Sequence, residues 1–292
     1  MILQQLINGL MLGSMYSLIA IGYTLVFGLL NLLNLAHGEV FMFGGFIALF
    51  ALTSVALPLW AAFLLSIAGA GILGLAVERI CFRPIKGQSQ MAPVLSTIAF
   101  GIILVDITRH IWGTEPVQLS TGIELVSIKV GDLLVSAIQI VILIVAIALM
   151  LLLDYLIRST KLGAAMRAVA EQPTVARLLG VDVQRTVSMA FVISSALAGA
   201  AGILWALKLG MADPNVGFSL GLKSLAVMVI GGLGNVRGAM VGGLIVGMTE
   251  VLTSAYASAI LANLVVWLIL VLILLFRPSG LFGSRLQVEG SR

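Results

Sequence analysis

Charged side chains are scarce in this sequence, and that scarcity excludes most classes of protein. Asp, Glu, Lys and Arg make up 10% of the 292 residues, against about 25% in soluble globular domains. Hydrophobic residues make up 61% before the 32 glycines are counted. A surface so poor in charge could not keep the chain in solution, and neither a disordered chain nor a nucleic-acid binder has this composition. The sequence therefore predicts an integral membrane protein.

Reactive residues and enzyme motifs are also missing. The lone cysteine, Cys81, cannot form a disulfide within the chain. The sequence has no G-x-x-x-x-G-K-[ST] loop, no H-E-x-x-H, no G-x-S-x-G and no Cys/His cluster of metal-ligand spacing. We therefore expect a chain that is not an enzyme, holds no cofactor or metal and does not itself hydrolyse ATP. Residues 1–12 carry no positive charge, so we expect the first span to be retained rather than cleaved as a signal.

Long charge-free stretches predict membrane-spanning helices. About 20 apolar residues in a helix cross the hydrocarbon core, and these stretches show no strand-like alternation. We expect an all-α polytopic bundle of about eight spans, with residues 1–292 forming one membrane domain. Turns are expected near residues 53–58 and 257–261, and the apolar segment 222–235 is long enough only for a short or re-entrant helix.

The distribution of basic residues predicts the orientation in the membrane. Twelve of the 16 Lys and Arg residues lie in loops that the predicted spans place on one side, and the positive-inside rule makes that side the cytoplasm. Segment 158–185 is then cytoplasmic, whereas residues 113–132 and 208–219 face outwards. The N-terminus also lies outside.

The cytoplasmic segment 158–185 contains a short helix with clear boundaries. Pro173 favours a helix start and Gly180 a helix end, so residues 174–179 form a separate two-turn element. Its apolar residues Val175, Leu178 and Leu179 must be covered. Spacing alone leaves two explanations equally good. Either a groove on a partner protein covers these side chains, or they lie on the lipid headgroups or on the chain's own helices.

Polar residues inside apolar stretches are candidates for a solute pathway. Asn31, Asn34, His37 and Glu39 lie between predicted helices, and Glu250 lies within a predicted span. Ionisable groups at membrane depth usually line a cavity or face protein. A helix start at the interface explains Glu39 as well, and a bond to a neighbouring helix is the commoner explanation of Glu250.

Other polar and glycine positions are less specific. Asp106 and Arg109 are spaced to pair on one helix. Consecutive glycines leave backbone groups available to a solute, as at Gly44–Gly45 and Gly231–Gly232. Residues 40–45 and 227–232 look alike and run in opposite directions, which makes an inverted repeat a candidate architecture, although a chance match explains the likeness nearly as well.

Three motifs carry a resemblance to a known family. The stretch from Asn8 to Gly28, followed by Asn34-Leu-Ala-His-Gly-Glu39, resembles the N-terminal signature of LivH-type permeases of branched-chain amino acid ABC importers. Residues 161–180 are similar to the cytoplasmic coupling region of that family, and residues 230–238 to its C-terminal glycine motif. The resemblance covers essentially the whole chain.

The resemblance implies a permease subunit in the bacterial inner membrane. Its partners would be a second related permease, two cytoplasmic ATPases that hold ATP and Mg, and a periplasmic substrate-binding protein, with no nucleic acid. The ATPase contact would comprise Glu171, Pro173, Val175, Ala176, Arg177, Leu178, Leu179 and Gly180. The translocation pathway would comprise Asn31, Asn34, His37, Glu39, Gly44, Gly45, Gly231, Gly232 and Glu250, and the binding protein would dock at Glu115, Glu124 and Asp213.

Three other functions stay open at this point, and one of them is a structural or assembly protein of the membrane, which would move no solute at all. Relatives with similar motifs carry urea or short amides, so the solute need not be a branched-chain amino acid. A secondary transporter driven by an ion gradient could use His37, Glu39 and Glu250 as coupling groups. It would need neither an ATPase nor the short cytoplasmic helix.

Overall fold

Helices make up nearly all of the computed structural model, which describes residues 2–85, 91–119, 127–130 and 133–283. Two small antiparallel sheets accompany them. The helices are α1 Ile2–Leu30, α2 His37–Thr53, α3 Leu59–Val77, α4 Met91–Trp112, α5 Ala137–Ser159, α6 Lys161–Glu171, α7 Pro173–Leu178, α8 Val183–Leu209, α9 Val216–Gly231, α10 Val236–Tyr256 and α11 Ala259–Phe276, and a π-helical turn, Glu78–Phe82, extends α3. The strands are β1 Val117–Gln118, β2 Ser127–Val130, β3 Leu133–Ser136 and β4 Met211–Ala212.

The predicted polytopic helical architecture is confirmed. Seven helices in the described ranges are long and apolar enough to cross a membrane, and the apolar helices α2 and α9 are shorter. Both predicted turns are present, because α2 ends at Thr53 before α3 begins at Leu59, and α10 ends at Tyr256 before α11 begins at Ala259.

The predicted bounds of the short helix at 222–235 are wrong, since α9 spans Val216–Gly231. The side chain of Asp213 accepts a hydrogen bond from the backbone N–H of Asn215 at 2.8 Å, and this turn starts the helix six residues earlier than expected. Gly232, with a φ of +118°, ends the helix before Asn235.

The outer segments 113–132 and 208–219 are joined by a short sheet. Strand β1 pairs antiparallel with β4, with Val117 opposite Ala212 and Gln118 opposite Met211. Strands β2 and β3 form a separate hairpin in which Ser127 lies opposite Ser136. Both segments therefore belong to one face of the molecule, as the predicted orientation requires.

Helices α1–α4 and α8–α11 follow the same order: one long helix, one short helix and two spans. Because successive spans alternate in direction, the two units run oppositely across the membrane. The most extensive packing is reciprocal, with α1 on α10 and α3 on α8. This arrangement supports an inverted repeat. The similar pieces 40–45 and 227–232 lie near the start of α2 and at the end of α9, so they do not mark equivalent positions.

Small residues let these helices approach closely. A side chain at Gly44 of α2 would meet the backbone of Gly199 in α8. Ser66 of α3 joins the same contact, because its Oγ lies 2.8 Å from the carbonyl oxygen of Gly44 and 2.9 Å from that of Gly199. Close glycine contacts and buried hydroxyls are typical of helix packing in lipid. The helix at the centre of the bundle is α1, whose side chains from Met11 to Val26 are buried throughout.

Candidate functional site

A cavity of about 520 Å³ lies between α1, α2, α4 and α9. Three charged residues border it, namely Glu39, Asp106 and Arg109, and most of its remaining wall is apolar. Its volume falls within the range of about 300–1,000 Å³ for small-molecule sites. The cavity is thus a candidate solute site within the membrane domain.

The chain reaches this cavity by re-entering the bundle after α1. Helix α1 ends at Leu30, and the next residue, Asn31, has a φ of +52°, a left-handed conformation that asparagine adopts more readily than most residues. The backbone N–H of Leu35 then donates to Thr97 Oγ1 of α4 at 3.1 Å, which fixes the returning segment. Helix α2 consequently begins at His37, deep within the bundle.

Glu39 lies at about the mid-depth of α4. A Cβ at Gly101, ten residues from the start of α4, would lie 3.1 Å from Glu39 Cγ, and one at Gly217 of α9 would collide with the Glu39 carboxylate. The side chain is therefore held in a slot between two glycines. Only 7% of Glu39 is exposed, and its Oε2 has no hydrogen-bond partner among the described residues.

Arg109 approaches the same end of α9 from the outer side. Its Nη2 donates to Asn215 Oδ1 at 2.7 Å, and Asn215 is the N-cap residue of α9. The Asn215 side chain does not cap the helix. The Val216 N–H bonds to the Asp213 carbonyl oxygen at 3.4 Å, and the amides that follow it have no partner within the helix, as at any helix start. The predicted Asp106–Arg109 pair is wrong, because Arg109 is turned towards Asn215 and forms no ion pair with Asp106 in the described structure.

Asn34 and His37 lie beside this cavity but inside the protein. Both are almost completely buried. The Asn34 amide atoms and His37 Nε2 have no partner within the described ranges. The His37 ring packs edge-on against the Tyr23 ring, with 4.6 Å between the ring centroids. Its Nδ1 lies 3.5 Å from Ser194 Oγ of α8. Their role in the pathway stays a prediction.

Glu250 belongs to a separate buried cluster. Lys223 Nζ of α9 donates to Glu250 Oε1 at 2.7 Å, and the hydroxyl of Tyr16 in α1 donates to Glu250 Oε2 at 2.9 Å. The sequence analysis missed both partners. Lys223 is the only charge in the apolar segment 222–235 before Arg237, and that isolated charge could have indicated a buried pairing with Glu250.

The glycines predicted for the pathway lie in helix contacts. Gly44 and Gly45 face Gly199 and Gly202 of α8, and Gly231 faces Gly238 of α10. Gly232 closes the end of α9. These positions do not border the cavity at Glu39. Asn31 and Glu171 instead border a second cavity, of about 770 Å³, on the cytoplasmic side of the molecule.

The short helix α7 projects from the cytoplasmic face. Leu178 is 82% exposed and Leu179 is 78% exposed, and Glu171, Pro173, Val175, Arg177 and Gly180 are exposed as well. Ala176 is buried at 2%, so it supports α7 from beneath and cannot itself reach a partner. The observed bounds, Pro173–Leu178, agree with the predicted element within one residue.

The outer anchors predicted for a binding protein are partly described. Glu115 is exposed just before β1. The side chain of Asp213 accepts hydrogen bonds from the backbone and side chain of Asn215. Glu124 lies outside the described residues. These three positions stay predictions.

The bundle and the charged cavity between α1, α2, α4 and α9 define a multi-pass membrane transport protein. Comparison with known proteins gives its family. Residues 5–275 match the family described as branched-chain amino acid transport system, permease component, and the chain belongs to that family. It is a multi-pass transport permease of the inner membrane.

Individual relatives cover almost the whole chain. The permease protein BraD of the high-affinity branched-chain amino acid transport system of Pseudomonas aeruginosa is 36% identical over 299 residues, which is 98% of this chain and 97% of BraD. LivH of Escherichia coli K12 has the same identity and coverage. The solved structure of PsaBC from Streptococcus pneumoniae in complex with Fab shares the fold, with a TM-score of 0.51, 13% identity and coverage of 93% of this chain and 91% of that one.

Proposed function

We propose that this chain is the permease subunit of an ABC importer that moves branched-chain, hydrophobic amino acids from the periplasm to the cytoplasm. ATP hydrolysis in two partner ATPases drives the transport. A second related permease completes the membrane pathway, and a periplasmic binding protein delivers the solute. Residues 1–292 act as one permease domain, with the coupling segment at 158–185.

The exposed helix α7 is the observation that carries this proposal. Two large apolar side chains, Leu178 and Leu179, project from the face that the basic residues assign to the cytoplasm. Water contact of such a pair is unfavourable, and burial of each leucine contributes about 1.5–3 kcal/mol. A cleft on an ATPase would cover them.

The packing around α7 gives a route for a push from the ATPase. Helix α7 packs on α6 and α8, and α6 packs in turn on α5, α8 and α1. Helix α8 contacts α2, the helix that carries Glu39. A displacement of α7 is thereby transmitted through packed helices to the wall of the central cavity.

The choice of solute rests on the relatives and on the cavity. BraD and LivH are described as branched-chain amino acid permeases. The cavity wall includes Ile98, Ile102 and Leu222, which suit an aliphatic side chain. Urea has no aliphatic group to contact such a wall. A transporter driven by an ion gradient does not require α7, because it binds no ATPase. Neither alternative is favoured.

The test is copurification of partner subunits with the tagged chain from native membranes. ATPase subunits should copurify with the wild-type chain and with Leu178→Met, which keeps the apolar contact. Leu178→Asp places a charge in that contact and should lose most of the bound ATPase while the chain still inserts. Equal ATPase recovery with Leu178→Asp would contradict the proposed contact, and recovery of the wild-type chain alone would contradict the importer assembly.

A further inference from the structure

The first turn of α9 brings a carboxylate and a guanidinium to one wall of the central cavity. Glu39 lies against Gly217, and Arg109 bonds to Asn215, two residues earlier in the chain. Gly217 and Asn215 both border the cavity. The two opposite charges therefore border one part of the cavity, but the described residues contain no ion pair between them.

Glu39 has the properties of a group that awaits a ligand. It is more than nine-tenths buried, and its Oε2 has no partner among the described residues. A second buried carboxylate, Glu250, has both oxygens bonded. A buried charge without a partner costs free energy unless a ligand or ion compensates it. Arg109 borders the same cavity but makes no ion pair with Glu39 in the described ranges, so the carboxylate is available to a cationic group of the solute.

The start of α9 offers the complementary anion site. Its N-cap side chain leaves the first amides uncapped, and the positive end of the helix dipole lies at the same place. Helix α9 is one of the short helices that end inside the bundle, and the N-termini of such helices hold anionic substrate groups in other transporters. Arg109 adds a full positive charge with several donors.

We infer that this cavity binds the solute as an amino-acid zwitterion. The ammonium group binds the Glu39 carboxylate, and the solute carboxylate binds Arg109 and the amides that follow Val216 at the start of α9. The aliphatic side chain contacts Ile98, Ile102 and Leu222. This inference rests on the proposed function and deepens it, because it makes the membrane domain itself selective for amino acids.

A lipid chain does not satisfy this site. Glu39, Asp106 and Arg109 all border the cavity, and hydrocarbon would leave these charges unsolvated. A neutral solute such as urea would give the Glu39 carboxylate no cationic group in direct contact. Only a solute that carries both charges satisfies both sides of the site.

The test measures ligand protection of a cysteine inside the cavity. The Ile102→Cys variant is reconstituted in the full importer without nucleotide, and its rate of maleimide labelling is measured in the presence of each of three ligands. The ligands are leucine, 4-methylpentanoate, which lacks the ammonium group, and isopentylamine, which lacks the carboxylate. The buried Cys81 gives the background rate. Leu152→Cys, on an exposed face of α5, is the matched control that no ligand should protect.

Leucine should protect position 102 at concentrations at least about tenfold lower than either one-charge analogue. Glu39→Gln should abolish the advantage of leucine over 4-methylpentanoate, whereas Arg109→Met should abolish its advantage over isopentylamine. ATP hydrolysis stimulated by the binding protein shows that each variant is folded and assembled. If Glu39→Gln does not assemble, the Arg109→Met variant alone tests the zwitterion site.

Two outcomes would overturn the inference: no protection by leucine, or equal protection in both variants and the wild type. ATP-dependent leucine uptake by the same wild-type preparation reports the proposed function independently. Uptake without protection would overturn only the zwitterion site, and protection without ATP-dependent uptake would overturn only the ATP-driven importer.

Discussion

At the scale of single residues, two glutamates in apolar helices have opposite surroundings. Glu250 accepts hydrogen bonds from Lys223 and Tyr16 on two other helices, whereas Oε2 of Glu39 has no partner within the described ranges. Their sequence contexts are similar, since each is a lone acidic residue in an apolar run. Long-range packing alone distinguishes a structural carboxylate from one available to a solute.

The Glu250–Lys223 pair should stabilise the contact between α9 and α10. Each side chain is only 17% exposed, and Lys223→Met leaves the Glu250 carboxylate with the Tyr16 hydroxyl alone as hydrogen-bond donor. The variant should lower the free energy of unfolding by about 3 kcal/mol. The double variant Lys223→Met/Glu250→Gln removes both charges and should recover most of that loss. Unfolding in detergent by denaturant titration measures the difference.

The matched control is the exposed pair of Arg185 and Asp182, with side-chain exposures of 88% and 50%. Arg185→Met should change stability by less than about 1 kcal/mol, because exposed ion pairs contribute little. If Lys223→Met proved as stable as the double variant, the pair would not have the stabilising role that its burial indicates.

At the scale of helices, local signals predicted α7 well and α9 poorly. Proline at the start and glycine after the end are local features, and they placed α7 to within one residue. The start of α9 depends on a turn made by Asp213 and Asn215, which a count of apolar residues does not detect. The re-entry of residues 31–36 was also missed, because its anchor at Thr97 lies 62 residues from Leu35 in the chain.

The candidate site shows the same division. Glu39 could be selected from the sequence because an ionisable residue among apolar helices is unusual. Its slot between Gly101 and Gly217, and the approach of Arg109 to Asn215, depend on contacts between helices far apart in the chain. No periodicity in the sequence encodes these contacts.

The end of α7 depends on the conformation of Gly180. This residue has a φ of +85°, and a Cβ added at this position would have no atom beyond its chain neighbours within 4 Å. Gly180→Ala should therefore cost about 1–2 kcal/mol through backbone strain alone, and it should turn α7 away from its direction. We expect reduced ATPase stimulation by the binding protein.

Gly180→Asn is the matched control, because asparagine tolerates this conformation. It should keep most of the stimulated ATP hydrolysis, which is measured with both variants in the reconstituted importer. Equal activity of the alanine and asparagine variants would show that the direction of α7 does not depend on the backbone at Gly180.

At the scale of the whole molecule, two opposed four-helix units pack together, the cavity opens where α1, α2, α4 and α9 meet, and α7 projects separately on the cytoplasmic side. The reciprocal packing of α1 on α10 and α3 on α8 forms the main contact between the two units. Glu39 lies where the starts of α2 and α9 meet, since Gly38 packs against Gly217 and Gly221. A relative tilt would open this point to one side of the membrane at a time.

The most direct measurement of ATP-driven import through α7 is leucine uptake by proteoliposomes that contain the complete importer. Uptake should require ATP on the side of α7 and the binding protein on the opposite side, and it should persist when ion gradients are collapsed. It should fall at least about tenfold in Leu178→Asp but not in Leu178→Met. Uptake that follows an ion gradient without ATP, or that is unchanged in Leu178→Asp, would contradict the account.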